Sequence, residues 1–102
     1  MIALDQLTLA RVRPTVGSTY ALDLGEYGAL DLTLVAAEGY GEPAASDGAA
    51  REPFSLEFRG PLDPQLGQAT YQLVHAELGS LAVFLVPVAR DAEGMRYQAI
   101  FA

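Results

Sequence analysis

The residues able to do chemistry in this chain are few and poorly matched to one another. His75 is the single histidine, and it alone would titrate near neutral pH. A Ser-His-acid triad needs a serine on a strained elbow. Ser18, Ser46, Ser55 and Ser80 all lie outside such a context. A zinc centre needs three or four ligands, and there is no cysteine to join the one histidine. His75 directly precedes the stretch Glu77-Leu78-Gly79, so its stronger reading is structural: a ring that hydrogen-bonds Glu77 or the turn backbone.

The carboxylates are numerous but unpaired in pattern. Asp23, Asp31 and Glu57 fall on the outward positions of alternating runs, and the remaining acids lie in loops or at run ends. Asp47, Asp91 and Glu93 show no calcium-loop spacing. The glycines show no phosphate-cradling pattern. No catalytic residue, cofactor site or metal site is therefore expected. Four residues are contact candidates. Arg59 is able to pair with Glu57, Asp63 or Glu77, or to grip a partner's carboxylate. Tyr27 and Tyr40 are aromatics placed in turns, the setting in which aromatics serve interfaces. His75 completes the set.

The elements that must position these residues are mostly strands. The chain has 102 residues, 51% of them hydrophobic and 19% charged, which suits one β domain with its own core over 1–102. In residues 18–24 Tyr20, Leu22 and Leu24 share a face. After the Gly-bracketed turn GEYG, Leu30, Leu32 and Leu34 do the same. Residues 39–52 form a long aperiodic loop, expected to be mobile, with Tyr40 its one large side chain. In PFSLEFRGP, Phe54, Leu56 and Phe58 alternate with Ser55, Glu57 and Arg59. The flanking Pro53 and Pro61 suit an edge strand or a strand that ends abruptly.

Residues 70–88 hold the densest apolar run. Tyr71, Leu73 and His75 face one way. The partner run SLAVFLVPV is apolar on both faces, which predicts cover on both sides. Either residues 4–13 fold over it or another subunit does. Pro87 predicts a bulge or strand end, residues 89–94 a turn, and Tyr97, Ala99 and Phe101 the core face of a last strand. Residues 7–13, LTLARVR, predict one short helix capped by Thr8, although their alternation also suits a strand. Leu4, Leu7, Leu9 and Val12 would pack that helix across an open end. The sum is an all-β fold: a small six-stranded antiparallel barrel, or a two-layer sandwich, with one short N-terminal helix.

Charge narrows the partners. Thirteen acids against six arginines give a net charge of −7, and the arginines are scattered. Nucleic acid and anionic membrane surfaces are poor matches. No apolar run reaches membrane-spanning length, and the first residues lack the basic leader of a secretory signal. Synthesis in the cytoplasm is expected, with the chain either staying there or leaving as part of an extracellular assembly.

Four segments together resemble a small bacterial domain family of unknown function. They are F-S-L-E-F-R-G-P within 53–61, Y-Q-L-V-H-A-E-L-G within 70–79, F-L-V-P-V at 84–88 and Y-Q-A-I-F at 97–101. P-T-V-G-S-T-Y at 14–20 matches more weakly. The resemblance implies an association with phage-tail-collar-like and fibre-like proteins, and brings no ligand or catalytic residues with it. Two readings follow. The first is a non-enzymatic structural or interaction module that meets a protein partner or itself, through a β-edge (53–60 or 95–101) or an apolar face. The second is a small-ligand-binding barrel with loop 39–52 as its lid.

Overall fold

The computed structural model describes residues 7–39, 53–63 and 66–101. It is a closed antiparallel barrel of six strands: β1 (Thr19–Asp23), β2 (Ala29–Gly39), β3 (Phe54–Gly60), β4 (Ala69–His75), β5 (Gly79–Asp91) and β6 (Gly94–Phe101). The order around the barrel is β1-β2-β3-β6-β5-β4, with β4 returning to β1. Two three-stranded meanders are thus joined twice. The β3–β6 join runs from Phe54–Phe101 to Gly60–Met95, whereas the β1–β4 join holds the two register pairs Ala21–Val74 and Leu22–Leu73.

Period-two alternation places the core. Tyr20 and Leu22, Leu32 and Leu34, Phe54, Leu56 and Phe58, Leu73, Leu81, Val83 and Leu85, and Tyr97, Ala99 and Phe101 all point inward and are buried. Large aromatics fill the centre. Tyr20 meets Phe58 edge-on at 5.3 Å between centroids, and Phe54 stacks on Phe101 at 4.8 Å. A bulge at Val35 shifts the alternation of β2, so that Ala37 packs against this core. At the β5–β6 turn, Gly94 has φ 145°, and a Cβ there would fall on the carbonyl of Gly60. Only glycine lets the turn close against β3.

One short helix, α1 (Leu9–Val12), precedes the barrel. Thr8 caps it, its hydroxyl accepting from the Arg11 N–H at 3.2 Å. Pro14 does not stop the chain turning but tightens it into a 3-10 turn, Arg13–Thr15. Leu7, Leu9 and Val12 are buried at one barrel end, as expected, while Leu4 lies outside the described residues.

Three expectations need correcting and a fourth narrows. Closure leaves β3 no free edge: β2 pairs with one side and β6 with the other, and of the two readings of Pro53 and Pro61 the abrupt end holds, with β3 stopping at Gly60. The prolines flank the ladder without entering it, so they cost it no donor. β6 likewise pairs with β3 and β5, although its β5 ladder runs only from Gly94 to Gln98. The segment 89–94 is mostly strand. β5 bulges between Pro87 and Ala89, then continues to Asp91. Among the described residues of this chain the two-sided apolar run is buried on one side only, so of its two expected covers α1 is not one and another subunit is left. α1 packs against β2, not against the outer face of β5, where Phe84 stays 51% exposed.

Candidate functional site

The contact candidates fall on separate parts of the barrel. His75 ends β4 at the α1 end, is 4% exposed, and has both ring nitrogens engaged. Its Nδ1 accepts the backbone N–H of Glu77 at 3.0 Å and of Leu78 at 3.3 Å. A nitrogen that accepts carries no proton, so in the neutral ring the proton sits on Nε2. Nε2 therefore donates to Ser18 Oγ at 2.9 Å, and the Ser18 hydroxyl donates onward to the Thr15 carbonyl at 2.5 Å. The direction of transfer matters. A histidine that activates a serine must accept from it at Nε2, and this arrangement runs the opposite way.

The same end buries a second pair. The Thr15 hydroxyl donates to the Val12 carbonyl at 2.6 Å, leaving its lone pairs for the Tyr20 hydroxyl, also at 2.6 Å. Burial pushes the Tyr20 phenol above the usual 10.0; the Thr15 hydrogen bond opposes this, and the negative charge of Glu77 adds to it. The Tyr20 ring lies 4.5 Å from the His75 ring. Thr15, Ser18, Tyr20 and His75 thus form one network beneath α1. Ser18 was weighed only as a nucleophile and Tyr20 only as packing. The tight turn after His75 was the one legible signal.

Arg59 sits on β3 beside Thr33 and Arg96. Its expected partners were Glu57, Asp63 and Glu77; the partner found is Glu93, at 4.0 Å. Arg96, which the sequence did not single out, takes Glu57 at 2.9 Å, Glu93 at 3.5 Å and Asp91 at 3.6 Å. The guanidinium of Arg96 is the centre of this outer cluster, with three carboxylates around it. Its pairs are part-exposed, and such pairs contribute about 0–1 kcal/mol each.

Tyr27 lies at the opposite barrel end, in a 3-10 turn (Gly25–Tyr27) between β1 and β2. The turn starts where Asp23 Oδ1 accepts the Gly25 N–H at 2.7 Å, and ends at Gly28, whose φ of 97° suits glycine. Tyr27 is 84% exposed. With Leu24, Ala29, Leu30 and Leu66 it lines an open apolar groove of about 480 Å³. Leu66 is fixed there by its N–H, which donates to the Tyr97 hydroxyl at 2.9 Å. Tyr40 and residues 40–52 of the long loop lie outside the described residues.

The outer face of β4 and β5 is the remaining feature, and the sequence flagged it through SLAVFLVPV. Val74 and Phe84 are large, apolar and exposed there, and their outward neighbours on β4 and β5, Thr70, Gln72, Ser80 and Ala82, carry no charge. Ile100 is also exposed, but it lies on β6 beyond the β5 ladder, opposite Ser55 of β3, and its outward neighbour Gln98 pairs with Glu57. Gln72 donates to Ser80 across the β4–β5 ladder. Among the described residues no group of acids and histidine is placed to hold a metal ion.

Residues 7–101 match a protein family described as a domain of unknown function (DUF6916). The match takes in α1 and β1 as well as the C-terminal segments. No curated protein and no solved structure matches the chain.

Proposed function

The chain belongs to this family, and we propose that it is a non-enzymatic, self-associating β-barrel module that serves as a building block of a larger tail-like or fibre-like assembly. One observation carries the reading: an exposed apolar patch, Val74 and Phe84 among uncharged neighbours on β4 and β5, on a chain of net charge −7. Two copies meeting through the outer face of β4 and β5 would bring Phe84 and Val74 together among the uncharged Thr70, Gln72, Ser80 and Ala82. Depletion of charge around aromatic and aliphatic anchors is the composition of an interface centre. A patch that meets itself gives a two-fold contact, and a second surface on the same barrel would extend the contact into a larger structure.

Contact through a β-edge has less support, because β3 is paired on both sides and β6 pairs with β3 throughout and with β5 from Gly94 to Gln98. A ligand held inside the barrel also has less support, because aromatic and leucine side chains occupy the described interior. Non-enzymatic action is supported by the direction of the Ser18–His75 hydrogen bond, which leaves the histidine no lone pair for a substrate or a serine.

The test is size-exclusion chromatography with light scattering over a wide concentration range. The wild-type chain is expected to rise above its monomer mass of 10.8 kDa as concentration increases. Phe84→Asp is expected to hold it at monomer mass with its circular-dichroism spectrum intact. A wild-type chain that stays monomeric throughout, or a Phe84→Asp chain that associates as before, would rule this face out.

A further inference from the structure

The groove at the Tyr27 end is apolar like the outer face of β5, but its surroundings carry charge. Leu24, Tyr27, Ala29, Leu30 and Leu66 line it. Asp23, Glu26 and Asp31 each adjoin a lining residue in the chain, Asp63 precedes Leu66 by three positions, and neither lysine nor arginine occurs in 23–31 or 61–68. All four carboxylates are on exposed residues. Arg59, which β2–β3 pairing places beside Thr33 and so two residues from Asp31 along β2, is 4.0 Å from Glu93. The floor is hydrophobic, with Leu24, Leu30 and the buried Leu66 beneath the exposed ring of Tyr27.

This combination selects a partner. A second copy of the chain would set its own acidic surface against the same rim, so the groove is unsuited to self-association. A purely apolar partner would desolvate the carboxylates without pairing them, which is costly. A segment with one apolar side chain between cations meets both features at once. We propose that the groove docks an apolar side chain from an extended, positively charged segment of another protein: a leucine, methionine or phenylalanine flanked by lysine or arginine. The apolar residue fills the floor. The flanking cations face Asp23, Glu26, Asp31 and Asp63, and one of them lies over the Tyr27 ring, which attracts a cation to its face. Opposite charges on groove and segment speed encounter and make the affinity fall with salt. This surface is distinct from the outer face of β4 and β5, so either proposal stands or falls without the other.

Amide NMR of the full chain, titrated with three short synthetic peptides, tests it. One carries a leucine core flanked by lysines, one the same core flanked by glutamates, and one the lysines around a serine core. The lysine–leucine peptide is expected to bind at least about tenfold more tightly than either control, a difference of about 1.4 kcal/mol. It should move the amides of Tyr27, Leu30 and Leu66. Its affinity should drop as salt rises from about 0.05 M to about 0.3 M. Tyr27→Ala should weaken it about tenfold, Asp23→Asn with Glu26→Gln should flatten the salt dependence, and Phe84→Asp should leave it unchanged. Equal binding of the glutamate peptide, shifts centred on Asp91 and Glu93 in place of Tyr27, or no saturation by the lysine–leucine peptide at about millimolar concentration would each overturn the proposal.

Discussion

The two ends of the barrel use their side chains in opposite ways. At the α1 end, the residues with chemical capacity, His75, Ser18, Thr15 and Tyr20, are turned inward and consume one another's donors and acceptors. At the other end, Tyr27 stands exposed over a floor of leucines, joined to the barrel by a turn that needs only Asp23 and two glycines. A residue's type therefore says little about its availability. The lone histidine is a joint in the fold. The tyrosine, which has no partner in the sequence pattern, is the one left free to meet something else.

The comparison breaks first at Tyr20. Truncation to alanine removes a buried ring that packs against both Phe58 and His75, and is expected to cost about 3–5 kcal/mol in urea unfolding. His75→Ala comes next, at about 2–3 kcal/mol, through the emptied ring volume and the lost acceptor for two turn amides. A loss within experimental error for either variant would mean that the α1 end is not a structural seal.

Tyr20→Phe is a finer cut. It keeps the ring and removes one buried hydroxyl, and is expected to cost about 1 kcal/mol. It also changes the alkaline limb of stability. The folded chain holds the Tyr20 proton more tightly than the unfolded chain does, because burial raises the phenol above 10.0. The contribution is complete below that value and is lost as pH climbs through the higher folded value. Thermal scans above pH 10.0 should show a shallower fall for the Phe variant than for wild type. An identical slope would mean that Tyr20 ionises equally well in both states. Smallest of all, Tyr27→Ala should change stability by no more than about 0.5 kcal/mol, the range of ordinary exposed positions. A larger loss would make Tyr27 part of the fold and not a contact residue.

Much of the barrel was legible because inward-facing strand residues alternate. Phe54, Leu56 and Phe58 in β3, and Tyr97, Ala99 and Phe101 in β6, announce their face within a few positions. Thr8 as a cap and the bulge near Pro87 were legible for the same reason, since both depend on local chemistry. The network at the α1 end was not. Ser18 and His75 are 57 positions apart, and they meet only because β4 closes on β1 through two register pairs. Nothing within either segment encodes that closure. Arg59 was misread for a related reason. Its candidate partners were chosen by nearness along the chain, whereas β3–β6 pairing brings Arg96 between Arg59 and Glu57 and leaves Glu93 for Arg59. The outer face of β5 was half legible. Its apolar residues showed that a cover was expected, but the sequence did not show that α1 goes to β2 instead.

One NMR dilution series reads all three regions together: the ring signals of Phe84 and the methyl signal of Ile100 for the outer face, the ring of His75 for the sealed end, and the ring of Tyr27 for the groove. Self-association through the outer face of β4 and β5 predicts that Phe84, and with it Ile100 at the nearby end of β6, shift with concentration while His75 and Tyr27 hold still. Signals from Phe84 and Ile100 that stay fixed across the series, or concentration-dependent shifts confined to Tyr27 or His75, would contradict it.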